Sequence, residues 1–231
     1  MCGYVELENG EKPIEGLKQL NFDDLIGDFS APITEKCYPA FGGDAQRNIP
    51  IIILEQGRLK KVYATWWFDC YQDGEQIIVG SRTTFNARNL ASPFWQHALH
   101  NQRGILLATG LGESKIVGKT KQQFYFSSAR AFCLGVLYKK FANGQYSAAI
   151  ITRDAHLKFE PYHDKAFPLF LRLQPEFARV WLTPKQTIDK QINQLLAHPL
   201  LYPELQVQRV KTFKNKEILH SFNPVTLHSD T

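Results

Sequence analysis

The chain has 231 residues, 44% hydrophobic and 13% aromatic, enough for a packed core in one large domain or two small ones. It holds no apolar run of about 18 residues, and its polar, acidic start from Met1 to Lys12 is no secretory signal, so neither a membrane span nor export is expected. Cys2, Cys37, Cys70 and Cys133 are widely spaced with no CxxC pair, which argues against a structural zinc site and a disulfide framework, and the net charge of +5 is compatible with a nucleic-acid partner.

The chain opens Met1-Cys2-Gly3. If Met1 is removed, Cys2 carries a free α-amine and a thiol on adjacent carbons. Such a 1,2-aminothiol condenses with aldehydes: the amine gives a Schiff base and the thiol closes a thiazolidine ring. The amine titrates near ~8 and the thiol near ~8.5, so both nucleophiles are accessible near neutrality. An arbitrary second residue would look the same, so this reading needs an acid, a base and an anion site downstream.

Ile14 to Phe29 has apolar residues at near-helical spacing and predicts one or two short helices. Pro32 and Pro39 bracket an irregular stretch ending in Phe41-Gly42-Gly43-Asp44, read as an ordinary turn. Ile49 to Glu55 and Lys61 to Phe68 predict a hairpin, with Pro50 near a sheet edge. Trp66 and Trp67 stand in succession on its second strand. Adjacent strand residues face opposite sides, so one indole is expected to face out or line a cleft, where it can stack on a nucleobase. The alternative is one core and one rim aromatic. Gln76 to Val79 is another short strand.

Asn86-Ala87-Arg88 follows, then Ser92-Pro93 at the head of a helix reaching His100. Asn86 offers a donor and an acceptor without titrating, which suits holding a terminal amine or a sugar oxygen; taken alone it reads as a turn residue. Arg88 is a fork of donors fitted to phosphate oxygens, or a solvated or ion-paired arginine. Arg103 to Ala108 predicts a strand running into Thr109-Gly110-Leu111-Gly112-Glu113-Ser114. Glu113 is either partly desolvated, with a raised pKa suited to proton transfer, or an exposed loop glutamate. Lys115, Lys119 and Lys121 then meet a phosphate backbone or only solvent.

Gln123 to Ser127, Ala131 to Tyr138 and Tyr146 to Thr152 read as three strands, with Cys133 an inert buried thiol. His163 sits in the loop Pro161-Tyr162-His163-Asp164-Lys165. It is the side chain best able to exchange a proton near neutrality, or it is merely structural. Lys165 adds a positive charge. Pro175 to Leu182 and Pro184 to His198 predict helices, the second capped by Thr183. Leu205 to Val210 is a late strand, Lys211 to Lys216 a basic cluster, and Asn223 to Thr231 a loose tail. No repeat or linker divides the chain, so one domain over residues 1–231 is expected.

In this order the residues resemble the SRAP family, the SOS response-associated peptidase domain. Its Met-Cys-Gly start, its Asn-Ala-Arg motif and its Gly-Phe-Tyr-Glu-Trp strand end are similar to Met1-Cys2-Gly3, Asn86-Ala87-Arg88 and Gly110-Leu111-Gly112-Glu113-Ser114. The last keeps the glutamate and loses all three aromatics. Its Thr-x-x-Ala and His-x-Arg-Met-Pro motifs resemble Thr152-Arg153-Asp154-Ala155 and His163-Asp164-Lys165-Ala166-Phe167-Pro168, with one extra residue before the proline. The tryptophan of its Trp-Gly-Leu-Ile-Pro segment is similar in place to Trp66. Tyr4 and Lys165 replace family arginines, and the Trp66 segment is largely rewritten.

The resemblance implies an α+β fold in a single domain, a mixed, strongly twisted, barrel-like sheet flanked by helices. It implies a monomeric, cytoplasmic shield of abasic sites in single-stranded DNA, needing no cofactor or metal. Cys2 would form a thiazolidine DNA–protein crosslink after self-removal of Met1, with possible lyase activity. Cys2, Asn86, Glu113 and His163 would be catalytic, and Arg88, Lys165, Trp66 and Trp67 would contact DNA. Two other classes stay open. An N-terminal-nucleophile amidotransferase also begins Met-Cys-Gly, but its Arg-Gly-Pro-Asp and Gly-His-x-Arg motifs are missing here. A non-catalytic DNA-binding module would bind intact and abasic DNA alike.

Overall fold

The computed structural model describes residues 3–154, 156–185, 187–201 and 203–225. Met1 and Cys2, and with them the expected nucleophile, lie outside the described residues.

Strand β1 (Tyr4–Glu8) leads into helix α1 (Glu11–Gln19), and a 3₁₀ segment at Asp23–Phe29 buries Leu25 and Phe29, as the periodicity predicted. β2 (Thr34–Cys37) returns along β1. β3 (Asn48–Glu55) and β4 (Arg58–Thr65) form the expected hairpin, turned by Gln56 and Gly57 at positive φ. β5 (Cys70–Asp73) and β6 (Gln76–Val79) make a small sheet of their own. The two-residue β7 (Asn86–Ala87) precedes α2 (Pro93–Asn101), whose cap Ser92 accepts the Phe94 N–H. Then come the long strands β8 (Arg103–Val117), β9 (Thr120–Lys140) and β10 (Tyr146–Arg153). The short β11 (Phe167–Pro168) and β12 (Phe170–Leu171) are followed by α3 (Pro175–Leu182), α4 (Lys190–Ala197), β13 (Gln206–Val210) and β14 (Ile218–Ser221).

The main sheet runs β14-β13-β9-β10-β4-β3-β8-β1-β2, and β8 also pairs with β9. The pairings therefore curl through β8, β9, β10, β4 and β3. Two joins are thin: β3 meets β8 only at Ile52 and Ile105, and β4 meets β10 at Ala64–Tyr146 and Thr65–Ser147. The result is a strongly twisted, barrel-like sheet that is not a closed barrel.

Both faces of the centre of this sheet are buried, and alternation sorts the side chains there. Ile51, Ile53, Leu106 and Ile150 enter one apolar cluster, with Trp66, Phe126 and Phe132. Ile52, Ile105, Leu107 and Ile151 enter the other, against Leu17, Trp95, Phe177 and Ile192 of the four helices. The helices thus cover one face. Arg103 ties two of them down: its buried guanidinium donates to the carbonyls of Leu99 and His100 at the end of α2, and of Trp181 and Thr183 at the end of α3. A cation among helix C-terminal carbonyls also opposes their dipoles. No helix among the described residues is long and apolar enough to cross a membrane.

Four expectations are corrected. β8 does not end at Ala108 but runs on through Glu113, and the two strands expected over 123–138 are one. The register jumps from Ala108–Phe132 to Gly110–Ser127, so the bulge at 128–131 bends one continuous strand. Thr183 does not cap the helix after it. It ends α3, donating its hydroxyl to Arg179 O, because the residue before a proline is pushed out of helical geometry; Asp189 caps α4 instead. The tail is not loose from Asn223: Val225 is buried and bridged to Leu205. Residues 226–231 lie outside the described residues.

Candidate functional site

β1 lies antiparallel on β8 with Tyr4 opposite Gly112 and Glu6 opposite Gly110. This register brings Gly3 to the level of Glu113. Glu113 is 1% exposed, and desolvation pushes its carboxyl up to about 7. Of the two readings left open for this residue, the structure selects the desolvated one.

His163 comes to the same place from the far end of the chain. A 3₁₀ turn at Leu157–Phe159 folds its loop back, with the His163 N–H bonded to Phe159 O. Its Nδ1 lies 2.9 Å from Ser114 O and 3.6 Å from Glu113 Oε2. A carbonyl only accepts, so Nδ1 carries the proton and Nε2 the lone pair. Burial pushes the ring down to about 4, so it is neutral at pH 7. A carboxyl near 7 beside a neutral imidazole is a proton donor and a proton acceptor held in one place.

His163 opens on a cleft of about 500 Å³ lined also by Gly3, Phe41, Phe85, Lys165 and Phe213, among others, while Glu113 lies buried behind the cleft-lining Gly112 and Ser114. Lys165 therefore lines the same cleft as His163. Arg88 does not: it lines a separate surface cleft of about 450 Å³ with Arg153, and its Nη2 donates to Asp154 Oδ1 at 2.9 Å. Asn86 is half-buried on β7, opposite Ile150 and next to the cleft-lining Phe85.

Neither tryptophan faces outward. β4 ends at Thr65, so Trp66 and Trp67 lie in the turn past the strand, where alternation no longer governs them. Trp66 is fully buried with Nε1 donating to Phe85 O, and Trp67 is 5% exposed with Nε1 donating to Gly80 O. The exposed aromatic at the cleft is Phe41, 48% accessible, propped edge-on against Trp67 and Phe85. Its supports Gly42 and Gly43 both have positive φ, so the segment read as an ordinary turn is what aims the ring.

Sequence reasoning also missed Phe213. A Cβ at Gly112 would lie 2.7 Å from its ring, so Phe213 fills the space of a side chain at 112. The signal was the loss of the family aromatic at that position. Phe213 stacks on Tyr4 with ring centroids 5.1 Å apart. The Tyr4 hydroxyl donates to Glu6 Oε2 at 2.6 Å; Tyr125 and Lys216 donate to Oε1 at 2.7 and 2.8 Å. Burial alone would raise the Glu6 pKa, but these donors hold it below the usual carboxylate range. Cys37, Cys70 and Cys133 are buried, with thiols pushed up to about 12, 11 and 12. Among the described residues no three His, Cys, Asp or Glu side chains converge as metal ligands.

A model of the SOS response associated peptidase family matches residues 1–216. No curated protein matches the chain significantly. Three crystal structures share its fold. A protein from Bacteroides thetaiotaomicron is 18% identical with a TM-score of 0.64, covering 94% of this chain and 95% of that one. A protein from Bordetella bronchiseptica is 17% identical, with a TM-score of 0.62 and 91% and 100% covered. A phage-related protein from the same organism is 18% identical, with a TM-score of 0.63 and 91% and 95% covered.

Proposed function

The chain belongs to the SOS response associated peptidase family, which ties it to DNA damage, and on that premise we propose that it captures abasic sites in single-stranded DNA as a covalent crosslink. The observation that carries the proposal is the buried Glu113–His163 pair beside Gly3. An abasic site is a cyclic hemiacetal in equilibrium with its open aldehyde. Glu113, protonated in a good share of molecules near pH 7, gives its proton to the ring oxygen as the C1′–O4′ bond breaks, and its carboxylate takes the C1′ hydroxyl proton in return, leaving the aldehyde. Once hydrolysis has removed Met1, the Cys2 amine attacks C1′, and Asn86 orients it. His163 Nε2 takes the amine proton and returns one to the departing hydroxyl, so water leaves and a Schiff base remains. The Cys2 thiol adds across that C=N bond and closes the thiazolidine. Lys165 and Arg88 hold flanking phosphates, Arg88 exchanging the exposed Asp154 carboxylate for one. Phe41 takes the base-stacking role that the sequence assigned to Trp66 and Trp67.

The test is a denaturing gel of purified protein with a single-stranded oligonucleotide carrying one abasic site, alongside the intact mass of the free protein. The expected result is a shifted band and a mass lacking Met1, with the band lost in Cys2→Ala. A band that persists in Cys2→Ala would sink the nucleophile. No band despite a free Cys2, with intact and abasic DNA bound equally, would make the chain a non-catalytic DNA-binding module.

A further inference from the structure

Resting on the reading of the cleft as a single-strand site, we infer that the β8–β9 hairpin is a second nucleic-acid contact, an arm that holds unpaired nucleotides to one side of the reacting one. Beyond Glu113 the ladder leaves the core and continues to the Gly118 turn, with Lys115 opposite Gln122, Ile116 opposite Lys121 and Val117 opposite Thr120. Gly112, Ser114 and Ile116 alternate onto one face with Lys121, and that face lines the cleft. The cleft floor therefore runs outward along the hairpin, roughly 20 Å from Gly112 to the tip.

Two observations identify the occupant. Residues 115–121 hold Lys115, Lys119 and Lys121 and no acid, which fits a polyanion. Ile116 and Val117 at the tip are 69% and 48% exposed. Phosphates leave such side chains unsatisfied, whereas the flat faces of unpaired bases can cover them. A strand emerging from the cleft has both chemistries. The root of the arm is fixed, because Lys115 Nζ donates to Glu160 O in the loop that carries His163.

The experiment compares wild type with K119Q/K121Q and I116S/V117S. Binding to intact single-stranded oligonucleotides, one short enough to fill only the cleft and one longer, is followed across salt concentrations, after thermal melts establish folding. For the longer strand the salt slope of K119Q/K121Q should be shallower by about 1.4, about 0.7 per lysine. I116S/V117S should bind it more weakly at an unchanged slope. Wild-type binding with slope and affinity unchanged in both variants would overturn the arm and leave the cleft reading standing. A wild type that binds neither oligonucleotide would overturn both.

Discussion

Two buried carboxylates sit on neighbouring strands, and their surroundings drive them in opposite directions. Glu6 on β1 receives two tyrosine hydroxyls and the Lys216 ammonium, and its pKa falls. Glu113 on β8 has a neutral histidine nearby, desolvation dominates, and its pKa rises to about 7. Glu6 is a charge made permanent by its donors, and it fastens the segment carrying Phe213 and Lys216 to β1. Glu113 is a charge left undecided, which is what proton transfer near neutrality requires. Burial alone does not mark a working acid; the balance between donors and desolvation does.

The largest effect that sharpens this contrast is on rate. Glu113→Gln should slow crosslinking by about 10²–10⁴-fold, while Lys216→Met, which touches only the fastened carboxylate, should change it by only a few fold. Single-turnover kinetics on abasic oligonucleotide measures both, and equal losses would erase the distinction.

Stability against pH should separate the two carboxylates next. Glu113 titrates at 4.5 when unfolded and about 7 when folded, so the wild type loses stability as pH climbs between them, by up to about 3 kcal/mol. Glu113→Gln should therefore gain on wild type at pH 8 relative to pH 4. The lowered pKa of Glu6 contributes stability above 4.5 that is lost as pH falls through its folded value. Glu6→Gln should cost about 1–3 kcal/mol at pH 7 and progressively less as the medium is acidified below 4.5. Urea titrations at the stated pH values would show the two trends crossing, and parallel trends would refute the assignment.

Phe213→Ala should cost about 2 kcal/mol by opening the wall behind Gly112, read from the same titrations. Smallest of all, Arg88→Gln should leave the denaturation midpoint unchanged, since its partner Asp154 is exposed; its effect should appear only in DNA affinity. A shift in that midpoint would mean the pair is structural.

How far the sequence disclosed this arrangement depends on the distance over which each feature is encoded. The β3–β4 hairpin, α2 with its Ser92 cap and the buried thiol of Cys133 follow from neighbours a few positions apart, and they stand as the pattern implies. Glu113 and His163 could be singled out as proton-transfer candidates, but their approach depends on β8 outlasting its apolar core and on a loop 49 positions away folding back to Ser114. Trp66 and Trp67 misled because strand alternation was carried past Thr65 to Phe68. Phe41 stayed hidden because two glycines look alike whether they merely turn the chain or aim a ring. Phe213 left only an absence, the missing aromatic at Gly112.

That absence has a practical meaning for anyone trimming this chain. The motifs end at Pro168, and a shortened version stopping after Val210 would keep Asn86, Glu113 and His163. It would also discard the ring that occupies the hollow above Gly112 and the ammonium on Glu6. The motif residues would survive while the wall beside them was gone, so the smallest useful fragment reaches at least through Lys216.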